Sequence, residues 1–135
     1  MEAELEELVW ERASDRCEYC RLPLTCTPLT HEIDHIIALK HRGPTITSNL
    51  ALACFGCNNH KGTNIADLDP LTGAIVRLFH SRRHKWSRDF SWNGATLVGR
   101  TAIGRATITV LEINLPYRVA LRQALIDEGV FPPLS

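Results

Sequence analysis

Residues 30–62 read THEIDHIIALKHRGPTITSNLALACFGCNNHKG. From Thr30 to Leu39 the chain carries isoleucines at 33, 36 and 37 with no glycine or proline, so it reads as a strand. The polar stretch 40–48, KHRGPTITS, contains Gly43 and Pro44 and reads as a loop. Asn49-Leu50-Ala51-Leu52-Ala53 is then a short apolar run suited to the returning arm of a hairpin. Residues 57–68, CNNHKGTNIADL, are expected to be mainly helical, stopped by the turn sequence Asp69-Pro70-Leu71-Thr72-Gly73.

This hairpin is flanked by two Cys-x-x-Cys turns, Cys17 with Cys20 and Cys54 with Cys57. A two-residue gap lets one tight turn aim both sulfurs at a single ion, and two such turns supply the four thiolates of a tetrahedral zinc site. With every position filled by sulfur, that zinc is expected to be structural and to contribute to folding rather than to chemistry. Cys26 is left over, either as a small buried side chain or as an exchangeable ligand.

Outward from this centre, Leu5, Leu8, Val9 and Ala13 have helical spacing with glutamates opposite, which predicts a helix over about 3–14. Beyond Gly73, AIVRLF reads as a strand, HSRRHKWSRDF as a basic connector, and SWNGATLVGRT as a hairpin around Asn93-Gly94. Residues 102–112 and 116–128 have helical apolar spacing, and Gly129 stands where a helix C-cap belongs. The expected organisation is one domain of α+β class: an N-terminal helix (1–16), a zinc-bound core (17–66), and an extension of β-hairpin and helices (67–135).

Apolar residues at 44% and charged residues at 22% are ordinary globular usage, which argues against a disordered or coiled-coil chain. No apolar run approaches the roughly 20 residues that span a bilayer, and the first residues are acidic where a signal peptide is basic, so a cytoplasmic location is expected. In that compartment thiols stay reduced, which favours metal over disulfides for the cysteines. The net charge is zero, yet residues 37–105 hold ten Lys or Arg against three Asp. Such a basic region is either a polyanion-facing surface or a solvated face opposite the acidic first helix.

With Asp34-His35, Asn49 and Asn58 placed between and after the cysteine turns, residues 17–63 resemble the HNH endonuclease family. That resemblance implies a ββα-metal core in which a hairpin and a helix surround one divalent ion. It places His35 at the general base, Asn49 at the asparagine that braces the hairpin loop, Asn58 at the third motif position and Asp34 at the carboxylate metal ligand. It also implies Mg²⁺ or Mn²⁺ as catalytic cofactor beside the structural Zn²⁺, with 5′-phosphate and 3′-hydroxyl products. Residues 64–131 are similar to the C-terminal part of a bacterial subgroup of the family.

The chemistry agrees with the residue types. Neighbouring residues on an extended strand point to opposite sides, so Asp34 and His35 can flank a phosphate, one holding metal and the other a water. An imidazole accepts the water's proton, and a carboxylate with an amide oxygen suits a hard divalent ion. The expected partner is DNA, double-stranded, bound by a monomer or homodimer. Lys61, Arg82, Arg83, Lys85 and Arg88 are candidate phosphate contacts. His31, His41, Asn59 and His60 either meet substrate or satisfy local hydrogen bonds, and Trp86 and Trp92 either follow the phosphate backbone or anchor the C-terminal core. The competing reading is a catalytically inactive, zinc-stabilised nucleic-acid-binding module.

Overall fold

The computed structural model describes residues 1–132. Helix α1 (Ala3–Ala13) begins with Glu4 and Glu6 in its first turn, where the helix dipole favours negative charge, and ends at Ser14 in the left-handed region. Its inner face is narrower than the sequence suggested. Val9 is fully buried and Leu5, Trp10 and Ala13 pack beside it, whereas Leu8 is 43% exposed.

Strands β1 (Glu32–His35) and β2 (Leu50–Ala53) form the expected antiparallel hairpin, pairing Glu32 with Ala53, Ile33 with Leu52, Asp34 with Ala51 and His35 with Leu50. Side chains alternate across a strand. One face therefore carries Ile33, His35, Leu50 and Leu52, and Val9 of α1 packs there. Glu32 and Asp34 occupy the other face. The predicted strand to Leu39 ends early because the Asn49 side chain takes over the pairing. Its Oδ1 accepts from Ile37 N at 2.9 Å, and its Nδ2 donates to Ile37 O at 3.0 Å and Pro44 O at 2.9 Å.

Gly43 makes that loop possible. A Cβ there would lie 1.7 Å from Ile37 O and 2.9 Å from Asn49 Nδ2. Gly43→Ala is therefore expected to lower stability by about 3 kcal/mol, the upper end for overpacking, with the thermal midpoint as readout. An unchanged midpoint contradicts this close approach.

Helix α2 (Phe55–Lys61) is shorter than predicted. Gly62, at φ +52°, turns the chain out of the helix, and Ala66–Leu68 become β3, antiparallel to β4 (Ile75–Arg77), instead of further helical turns. The residues 69–73 thus turn a hairpin. Asp69 caps that turn by accepting from Leu71 N and Thr72 Oγ1, and Arg105 grips both its oxygens at 2.9 Å. The short helix α3 (Trp86–Asp89), the hairpin β5 (Phe90–Asn93) with β6 (Thr96–Gly99), α4 (Ala102–Val110) and α5 (Pro116–Asp127) complete the order. Gly129, at φ +77°, follows α5 as expected of a C-cap.

The main core joins the cysteine turns to the C-terminal part: Cys17, Tyr19, Cys20, Cys54 and Cys57 share one buried cluster with Phe79, Phe90, Leu97, Leu111, Ile113 and Leu125. No helix among the described residues is long and apolar enough to cross a membrane.

Candidate active site

The four predicted thiols converge. The sulfurs of Cys17, Cys20, Cys54 and Cys57 all lie within 4.8 Å of one another and all four residues are buried. Zn–S bonds of about 2.3 Å in a tetrahedron separate sulfurs by about 3.8 Å, and Cys20 Sγ stands 3.6 Å from Cys54 Sγ. The donor set therefore fits zinc. Each turn is shaped by its own first sulfur, which accepts a backbone N–H three residues on: Cys20 N at 3.4 Å to Cys17 and Cys57 N at 3.4 Å to Cys54. Cys26 lies outside the cluster and packs, half-buried, against the main core.

One partner of this centre was missed in the sequence. Arg118 of α5 is buried and donates to Cys57 Sγ at 3.0 Å and to the carbonyls of Leu111 and Glu112. Burial opposes its charge, but the thiolates of Cys57, Cys20 and Cys54 more than offset it and raise its pKa. Gly56 leaves room for the guanidinium, whose Cζ would stand 3.2 Å from a Cβ there. The readable signal was spacing. Arg118, Arg122 and Leu125 fall on one helical face, and all three are buried.

His35 ends β1, half-exposed, with Nε2 2.8 Å from Thr45 Oγ1. Because Thr45 is ten residues away in the loop braced by Asn49, no local pattern announced it. Among the described residues β1 pairs with β2 alone, and at its outer edge the His35 carbonyl is taken by Lys61 Nζ at 3.3 Å, which leaves the half-exposed imidazole as the accessible part of His35.

Asp34 is differently placed from the expectation. It is 5% exposed, accepting from Tyr19 Oη at 2.7 Å and from Lys61 Nζ at 3.1 Å. Burial pushes its carboxyl above the ordinary range, while Lys61 and Tyr19 act in the opposite direction. Asn58 turns its Nδ2 toward the exposed carboxylate of Glu32, at 2.5 Å. Asp34 and Asn58 thus do not form an open donor pair. Among the described residues, only the cysteines bring together three or more Cys, His, Asp or Glu groups as metal ligands.

Lys61 also corrects the sequence reading. It was a candidate phosphate contact, yet it is 1% exposed and its ammonium bridges Asp34 to the carbonyls of His35 and Ile36. Lys61→Met leaves a buried carboxylate without its cation. The expected cost is about 3–5 kcal/mol, read as a thermal midpoint lower by roughly 10–20 °C. A midpoint within two or three degrees of wild type contradicts a structural Lys61.

The other candidates divide. His31 is buried, bonded to Leu22 O at 2.8 Å and stacked on Trp10, and His41 and His60 bond Thr63 O and Glu112. Trp86 and Trp92 pack against the main core, with the Trp86 indole N–H donating to Tyr19 O. Arg83, Lys85 and Arg88 are exposed, whereas Arg82 is half-buried and ion-paired with Glu18.

Comparison with curated proteins gives no match, and comparison with solved structures gives none either. A family model described as HNH endonuclease matches residues 17–64, the span that holds the cysteine centre, the hairpin and α2. Over residues 17–64 this chain is therefore similar to the HNH endonuclease domain.

Proposed function

We propose that this domain hydrolyses DNA phosphodiester bonds, with His35 as the general base. The observation that carries the reading is the half-exposed imidazole at the end of β1, held at Nε2 by Thr45, inside the segment that matches the family model. In this reading His35 removes a proton from a water attacking phosphorus in line. The P–O3′ bond breaks and the departing O3′ takes a proton from solvent, which leaves a 5′-phosphate and a 3′-hydroxyl. Asn49 holds the loop and Thr45 orients the ring. Zinc in the cysteine centre holds the hairpin's flanks and takes no part in the reaction.

A dependence on Mg²⁺ or Mn²⁺ belongs to the same proposal, and such an ion, when bound, would supply stabilisation of negative charge. Asp34 and Asn58, as the structure holds them, do not fit an open site for it. The carboxylate exposed beside Asn58 is that of Glu32, and Asp34 is committed to Lys61. That commitment is also what favours the second reading, an inactive zinc-stabilised nucleic-acid-binding module.

Supercoiled plasmid separates the two. Protein with verified zinc content is incubated with Mg²⁺, with Mn²⁺ or with no added divalent ion. Nicked or linear product only in the presence of the added ion is the expected result, and intact plasmid in all three lanes favours the binding module.

A further inference from the structure

A groove of about 510 Å³ opens between the end of α1, the first cysteine turn and the connector before β5, lined by Arg12, Arg16, Glu18, Arg21, Lys85 and Trp86 among others. Its charge is one-sided. The acid in its lining, Glu18, is already bound: one oxygen accepts from Leu52 N at 2.7 Å and the other pairs with Arg82. The cations crowd each other as well. Burial and the neighbouring Arg12 bring the Arg82 guanidinium down to about 10, and burial lowers Arg12. The Nε of Arg12 is buried with no hydrogen-bond partner among the described residues. Folding that gathers like charges in this way costs free energy, and a bound polyanion recovers it.

The groove also adjoins the candidate site. Arg12 donates to the carbonyl of Leu50, the residue paired with His35, and α1 packs on the hairpin face that carries His35. We infer that this groove is a track for the sugar–phosphate backbone of duplex DNA, in which Arg12, Arg16, Arg21 and Lys85 hold a strand that runs on toward His35. This rests on the nuclease reading for its direction, though not for its binding. The choice of duplex follows from the aromatic residues. Arg21 lies over the Trp86 ring at 4.8 Å, and Phe90 and Trp92 pack against that indole at 5.3 and 5.9 Å, so it offers no open face on which an unpaired base could stack.

Fluorescence anisotropy with a labelled 15-base-pair duplex, in buffer without Mg²⁺ or Mn²⁺ and with zinc content verified, tests it. Arg16→Glu and Lys85→Glu are each expected to weaken binding about tenfold or more and to lower the slope of log K against log salt by about one. Arg77→Glu, the same charge change on exposed β4, is expected to weaken it no more than about twofold. Groove variants that bind like Arg77→Glu overturn the inference, and so does a single strand of the same length bound as tightly as the duplex. Groove-dependent binding without plasmid cleavage leaves the groove standing and removes the nuclease reading. Cleavage with no effect of the groove variants does the reverse.

Discussion

Cys57→Ser is expected to lose zinc and to abolish the cooperative thermal transition of the whole chain, not merely of one turn. Cys57 is completely buried, its sulfur belongs to the four-thiol centre, and it accepts from Arg118. Structural zinc contributes roughly 10–16 kcal/mol of apparent free energy to folding in small zinc domains, against a net stability of about 5–15 kcal/mol for a typical protein. Loss of one ligand also strands the Arg118 guanidinium in the core. Because the centre shares its buried cluster with Phe79, Phe90, Leu111 and Leu125, the C-terminal part is expected to melt with it. Metal analysis and a circular-dichroism melt read the two consequences together. A zinc-free variant that still melts cooperatively near the wild-type temperature contradicts the account.

The second large effect is chemical. His35→Ala is expected to reduce DNA cleavage by about 10²- to 10⁴-fold, the usual worth of a positioned general base. Stability should move little, within about 1 kcal/mol, because the imidazole is half-exposed and its polar contact is a loop hydroxyl. This separation of rate from stability distinguishes His35 from Lys61 and Gly43, whose replacement acts through the fold.

What could be read in the sequence, and what could not, follows from the range over which each signal acts. The hairpin and both cysteine turns were legible because their information is local: two equal spacings and two apolar runs around a polar loop. The end of α2 was misjudged although Gly62 is a plain break, since the residues after it have no β signal until they pair with Ile75–Arg77. The role of Asn49 was readable from family resemblance, and its three hydrogen bonds show the physical means. Asp34 was expected at the catalytic ion because of the family resemblance, and Lys61 at a phosphate because it follows Asn58 by three residues on the same helical face. Their burial depends on Tyr19, which lies in the other arm of the zinc centre, and no spacing within residues 30–62 encodes that contact. Thr45, Arg118 and the groove around Arg12 are likewise products of distant segments brought together by the fold.

The central claim is that an imidazole on a zinc-braced hairpin activates water for phosphodiester hydrolysis. Its most direct test is the initial rate of supercoiled-plasmid nicking in Mg²⁺ or Mn²⁺ by wild type and by His35→Ala, at matched zinc content and matched thermal midpoint. The expected result is cleavage by wild type and a loss of at least a hundredfold in the variant. Equal rates for the two proteins contradict it.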